Sequence, residues 1–202
     1  QDQVAVDDLA TALLEDLEAT QEDLAGIREY AREKTRTSLE AREHLRSPTP
    51  TISIDSLSQL LARGGATNVQ SPVLRSYDQL VATGLLHRLE PGIREALAKW
   101  VSLMEKSRDY YERDVLVFRQ NVGFSFWARS EVSFEQMLSG FLEGVDLGEP
   151  RFPHTWSALH SDPELNDVLV QFAILSAATE QSYERQEVAL GRLIELLRAE
   201  YR

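Results

Sequence analysis

The sequence predicts an all-α protein, and three observations favour that fold class. Apolar residues recur in steps of three and four along three long stretches of the chain, which is the spacing of one helix face. Segments containing proline or several glycines separate these stretches, and none shows the strict alternation of a strand. We expect a single helical domain over residues 1–202, built as an elongated antiparallel bundle of three long helices with short helices in the connections.

The three long helices are predicted over residues 6–46, 91–127 and 163–201. Pro48 and Pro50 stop the first of them, which at 1.5 Å per residue would reach roughly 60 Å. Pro91 and Pro163 open the other two, because proline is well tolerated at the first helical position.

Three short helices are predicted in the connections, over residues 55–63, 77–83 and 134–143. Gly64 and Gly65 end the first, and Gly84 follows the second in the place where a left-handed residue commonly ends a helix. Ser133 and Gln136 form a weak capping box at the start of the third.

The net charge of −12 is concentrated at the N-terminus. Residues 1–27 contain eight Asp or Glu residues and no Lys or Arg. Such acidity argues against nucleic acid as a partner, because phosphates repel it. One interpretation is a solvated helix face whose first acids complement the helix dipole. The other is a segment just outside a membrane on the non-cytoplasmic side, where Lys and Arg are depleted.

The chain itself contains no stretch resembling a bilayer-spanning helix. The longest apolar run, residues 168–178, is interrupted by Gln171 and Ser176, whereas a span needs about 20 mostly apolar residues. If the acidic segment adjoins a membrane, an N-terminal transmembrane helix is expected ahead of Gln1.

The absence of cysteine excludes disulfide scaffolds and Cys-ligated metal folds.

Two consecutive segments carry a resemblance to a known family: Ser-Tyr-Asp-Gln-Leu-Val-Ala-Thr-Gly-Leu-Leu at 76–86 and Ile-Arg-Glu-Ala-Leu-Ala-Lys-Trp at 93–100. Together they resemble an uncharacterised family of bacterial membrane-tethered helical proteins with one N-terminal span. The positions that match its pattern are Tyr77, Leu80, Gly84, Leu86, Arg94, Leu97 and Trp100. Ile93 and Trp100 stand where Leu and Tyr are usual. The resemblance implies a periplasmic, membrane-anchored helical domain with no assigned reaction, and it transfers no catalytic residue.

Considered without the resemblance, the same residues look structural. Tyr77 and Leu80 give a short helix one apolar face, and Gly84 lets the chain reverse direction. Arg94 is placed to bond carbonyls or a carboxylate in the turn before it.

No residues predict a catalytic, cofactor-binding or metal site. The four histidines lack the paired Glu-x-x-His motifs of a carboxylate di-metal bundle. There is no cysteine nucleophile, no Gly-x-Ser-x-Gly elbow and no phosphate-binding glycine motif. We therefore expect a protein that is not an enzyme and has no cofactor.

Two groups of residues are candidates for a binding role. Thr179, Ser182 and Gln186 fall where the last long helix should be apolar, and Ser107 interrupts the middle one near Tyr110 and Tyr111. They indicate either hydrogen bonds that set helix register or local solvent exposure, or else a ligand pocket between helices. Aromatic residues gather at Phe124, Phe126 and Trp127, where they favour core packing or a patch for a protein partner.

Two functional hypotheses follow from these features. The first is a structural or protein-interaction domain displayed outside the cytoplasmic membrane, with a protein partner or a homodimer as its complex. The alternative is a small-molecule sensor ectodomain that signals through its terminal helices, with an unidentified ligand.

Overall fold

The protein is predominantly helical in the part that its computed structural model describes, which comprises residues 2–65, 75–116, 118 and 155–201. These residues contain no strand, so the predicted all-α class is confirmed. The α-helices are α1 (Asp2–Leu45), α2 (Ile54–Gly65), α3 (Arg75–Ala82), α4 (Pro91–Tyr110), α5 (Trp156–His160) and α6 (Pro163–Tyr201). A 3-10 turn (Leu86–Arg88) precedes α4 and a π-helix (Tyr111–Leu116) follows it.

The middle long helix was predicted as a continuous α-helix over residues 91–127, and the structure differs from that prediction. Its α-helical part ends at Tyr110, and the chain continues as a π-helix to Leu116. Apolar spacing does not reveal this change, because the π-helix is only six residues long. The rest of that predicted helix, apart from Phe118, lies outside the described residues, as does the helix predicted over 134–143.

Helices α4 and α6 begin with the same local arrangement, an acidic cap followed by proline. A carboxylate oxygen of Glu90 accepts from the backbone N–H of Gly92 at 2.8 Å and of Ile93 at 3.2 Å. Asp162 accepts in the same way from Glu164 and Leu165, at 3.0 and 3.1 Å. Each cap satisfies backbone donors that the first helical turn leaves unpaired, which typically stabilises a helix by about 1 kcal/mol.

Helix α3 ends in a turn that requires a glycine. Gly84 has a φ of +69°, and its N–H donates to the Val81 carbonyl while that of Leu85 donates to the Leu80 carbonyl, at 3.1 and 3.0 Å. These two bonds define a Schellman motif, in which the left-handed residue is usually glycine. The turn redirects the chain toward the 3-10 turn and α4.

The described residues group into two compact units. Unit 1 draws on residues 1–29, 69–111 and 179–202, and unit 2 on residues 30–68 and 112–178. Both α1 and α6 contribute residues to each unit, so neither unit is a continuous stretch of sequence.

The core of unit 1 is formed by the apolar stripes of α1, α4 and α6, with two residues from the connection between α1 and α4. Its buried members are Val6, Ala10, Leu13, Leu14, Leu17, Leu24, Leu80, Leu89, Ile93, Leu97, Trp100, Tyr183, Leu190, Leu193, Ile194 and Leu197. Trp100 is the largest side chain among those that are fully buried. The stripes read from the sequence therefore define the packing of this unit.

Unit 2 has its own core, which the C-terminal part of α1 forms with α2, α5 and the first half of α6. Helix α5 was not predicted; Thr155 caps it by accepting from the N–H of Ala158 at 3.3 Å. Trp156 donates to the Ser47 carbonyl at 3.2 Å, and His160 Nδ1 lies 2.7 Å from the Leu45 carbonyl at the end of α1.

Among the residues that the structure describes, no helix has the length and hydropathy needed to span a bilayer.

Two glycine substitutions should shift stability in opposite directions. Gly84→Ala should lower the free energy of unfolding by about 1–2 kcal/mol, because it forces a side chain into the left-handed region. Gly26→Ala is the matched control: Gly26 lies inside α1 with open space around it, so alanine should stabilise by about 0.5–1 kcal/mol. Urea denaturation measures both, and equal shifts of the same sign would contradict this assignment.

Candidate functional site

The polar residues predicted on α6 meet α4 in a hydrogen-bonded network. Gln186 is 1% exposed, and its Nε2 donates to Ser107 Oγ at 2.7 Å. Ser107 Oγ also lies 2.5 Å from Ser182 Oγ. A hydroxyl has one donor and two acceptor positions, so Ser107 can bond both partners at once. These bonds join α4 to α6.

The remaining predicted members lie beside this network around a very small cavity. It is lined by Ser107, Tyr110, Tyr111, Thr179, Ser182 and Tyr183. Its volume is about 10 Å³, while one water molecule needs roughly 10–15 Å³ by the same measure. The five predicted polar residues thus lie together, but they leave space for no more than about one water.

Tyr183 belongs to this group and was missed in the sequence. It is 4% exposed. It lies four residues after Thr179 and three residues before Gln186, both of which were predicted. This spacing places the three side chains on neighbouring parts of one helix surface. Burial raises the pKa of Tyr183 to about 12, and the neighbouring Tyr111 acts in the same direction. Tyr183 therefore stays neutral at physiological pH.

The residues that carry the family resemblance are mostly part of the unit 1 core. Leu80, Leu97 and Trp100 are buried, and the partly buried Tyr77 packs against them. The Nε1 atom of Trp100 is buried and has no hydrogen-bond partner among the residues that the structure describes, so within them this tryptophan contributes through its volume and apolar contacts.

Arg94 does not make the bond expected of it. Its side chain is exposed and has no hydrogen-bond or ion-pair partner among the described residues. Glu90 caps the backbone at this turn instead, because a carboxylate can accept from the free N–H groups at a helix start, whereas a guanidinium cannot.

The aromatic patch proposed at Phe124, Phe126 and Trp127 lies outside the described residues. The structure also does not bring together three or more metal-ligating side chains anywhere in the ranges that it describes.

Unit 1 carries a groove between α4 and α6, which the sequence did not predict. Its volume is about 700 Å³, within the range typical of ligand pockets. The residues that line this α4/α6 groove are Gly92, Glu95, Ala96, Lys99 and Leu103 from α4, and Glu184, Arg185, Val188, Ala189, Arg192 and Leu196 from α6. At 1.5 Å per residue, the lining extends over roughly 17 Å, or about three helical turns.

The groove combines an apolar lining with charged side chains that have no partner. Glu95, Lys99, Glu184, Arg185 and Arg192 make no ion pair or side-chain hydrogen bond with any described residue. Val188 is 73% exposed, the highest fraction among the large hydrophobic residues described as exposed. Apolar surface with unpaired charges around it is typical of a surface that binds a partner.

The side of α6 that faces α1 differs sharply from the groove. There Arg28 pairs with Glu187 at 2.5 Å, and Arg198 pairs with Glu18 at 2.8 Å. Charged residues that α6 directs toward α1 are therefore used within unit 1, whereas those that it directs into the α4/α6 groove are not.

The stability of unit 1 should fall at high pH through Tyr183. The folded state holds the Tyr183 proton up to a pKa of about 12, whereas the ordinary pKa of a tyrosine is 10.0. The free energy of unfolding should therefore decrease by roughly 2–3 kcal/mol as the pH rises between these values. Tyr183→Phe should remove this contribution and leave the smaller one of Tyr201, whose pKa burial also raises, and urea denaturation at several pH values would measure the difference. A parallel decline in the variant and the natural chain would contradict the assignment to Tyr183.

Comparison with known proteins does not assign the site. No family model matches the chain, and no curated protein or solved structure matches it significantly. The resemblance of residues 76–100 to membrane-tethered bacterial proteins therefore stays a prediction. The candidate site is defined by its own geometry, the α4/α6 groove and the polar network next to it.

Proposed function

We propose that this chain is a non-catalytic structural or protein-interaction domain, and that the α4/α6 groove is its docking surface. The observation that carries the proposal is the set of five charged side chains around an apolar groove on the surface of unit 1 that have no partner in the described ranges. Opposite charges on neighbouring helices can form ion pairs, as Arg28 of α1 and Glu187 of α6 do on the other side of α6. Charges left free around apolar surface are available to a partner.

The fold proposed to present this groove is an antiparallel bundle of three long helices, elongated along its helix axes. Two ion pairs support the antiparallel direction of α1 and α6. Going from Glu18 to Arg28 along α1, the partners on α6 run backward from Arg198 to Glu187. The core residues that α4 shares with both helices support its place as the third member.

The proposed location is the periplasmic side of a bacterial membrane, with an N-terminal transmembrane helix ahead of Gln1 as the anchor. Support comes from the eight acids of residues 1–27, which have no Lys or Arg among them, and from the family resemblance of residues 76–100. The natural full-length protein is then expected to carry about 20 consecutive apolar residues before Gln1. If the natural full-length protein has no such segment, the proposed transmembrane anchor is wrong.

Small-molecule sensing, the alternative, draws its support from the α4/α6 groove rather than from the predicted polar residues. The cavity at Tyr110, Tyr111 and Thr179 has a volume of about 10 Å³, too small for any ligand larger than water. The groove has a suitable volume of about 700 Å³. Its length of roughly three helical turns nevertheless suits a helix better than a compact metabolite.

Site-specific crosslinking in cells that naturally produce the protein tests the interaction proposal. A photoreactive p-benzoylphenylalanine in place of Val188 should form a covalent adduct with a neighbouring protein, because Val188 lines the groove and is 73% exposed. Ile174 is the matched control, since it is also a β-branched residue of α6, is 61% exposed and does not line the groove.

Adduct formation at position 188 without an equal yield at position 174 is the expected result. If position 188 gives no adduct, or if both positions give adducts in equal yield, the groove is not a specific docking surface.

A further inference from the structure

The outward surface of α1 carries a regular acidic stripe. Asp8, Glu15 and Glu22 are spaced by seven residues, and all three are exposed without a partner among the described residues. Seven residues are about two helical turns, or roughly 10.5 Å, so the three carboxylates lie in a row. The helix positions on this row point away from the core formed by Val6 and Leu13.

Small residues accompany the acids along the same surface. Ala5, Ala12 and Ala19 are also spaced by seven residues, each three positions before an acid. Positions three apart are neighbours on a helix surface. Alanine side chains let another backbone approach closely, so this surface can enter a narrow groove and still present carboxylates at its edge.

The α4/α6 groove carries cations at the same spacing. Arg185 and Arg192 are seven residues apart on α6, and Lys99 lies across from them on α4. Glu95 and Glu184 also line the groove, so its five charged residues sum to a net charge of +1 on a chain with a net charge of −12. The groove is thus locally basic within a protein that is strongly acidic.

We propose that the α4/α6 groove binds the acidic outer surface of α1 from a second copy of this chain. This inference rests on the proposed function of the groove as a docking surface. Glu15 and Glu22 of one copy then pair with Arg185 and Arg192 of the other, because both pairs have the same spacing of roughly 10.5 Å. The alanines between the acids lie over the small residues Ala96 and Ala189 of the groove.

The first 27 residues suit this role because they carry no cation that the basic side chains would repel. The two surfaces are different parts of unit 1, so the contact is heterologous. It can build chains or rings of copies, or a dimer where both contacts form reciprocally. Since its charges remain near solvent, the association should weaken as salt is added.

Sedimentation analysis of complementary charge-reversed variants tests the proposal. One variant carries R185E and R192E in the groove, and the other carries E15R and E22R on α1. Each alone places like charges opposite one another and should associate at least roughly tenfold more weakly than the natural chain. An equimolar mixture restores opposite charges at the contact and should recover association.

A matched control reverses two cations of α4 that do not line the groove, Lys106→Glu and Arg108→Glu, both exposed. It changes the net charge as much as the groove variant does and should associate like the natural chain. Circular dichroism of all variants checks that helix content is unchanged.

Three results would overturn the inference. The first is a natural chain that stays monomeric at low salt and high concentration. The second is undiminished association of the E15R and E22R variant, which would indicate contact between two grooves or through another surface. The third is a mixture that fails to recover association. In each case the crosslinking yield at Val188 still decides separately whether the groove binds another protein.

Discussion

The contact between α4 and α6 at Ser107 is the constraint on which the candidate site depends. Gln186 is almost completely buried in an otherwise apolar stripe, and an amide in that position must find a hydrogen-bond partner or lower the stability of the fold. Ser107 supplies that partner, at 2.7 Å. A bond between single positions on two helices favours one register, whereas apolar contacts alone tolerate small shifts. With that register set, the groove residues of α4 lie beside those of α6. The groove between them has a volume of about 700 Å³.

Charge is divided across α6 in a way that gives its two sides different roles. Toward α1, Glu187 pairs with Arg28 and Arg198 pairs with Glu18. Toward the groove, Arg185 and Arg192 have no partner among the described residues. The Arg198–Glu18 pair is the more exposed of the two, and an exposed pair adds little stability, typically below about 1 kcal/mol. The unpaired cations of the groove cost little while solvated and become useful when a complementary surface arrives, which makes the groove a better candidate for recognition than for stability.

The sequence was most informative where structure is local. Glu90 with Pro91 and Asp162 with Pro163 specify helix starts through contacts within three residues, and Gly84 specifies a turn through its own backbone conformation. The polar residues Ser182 and Gln186 stood out because they break an apolar stripe. The size of the cavity beside them, and the α4/α6 groove itself, depend on how two distant segments pack, so no local pattern contained them. The π-helix after Tyr110 escaped because its six residues are too few for a change of apolar spacing to show in the sequence.

The most direct measurement is a double-mutant cycle on Ser107 and Gln186. The free energy of unfolding would be determined by urea denaturation for the natural chain, for Ser107→Ala, for Gln186→Ala and for the double variant. If their bond fixes α4 on α6, the two substitutions should be coupled by about 1–2 kcal/mol. A coupling energy below about 0.3 kcal/mol, the level at which separate sites simply add, would contradict the account.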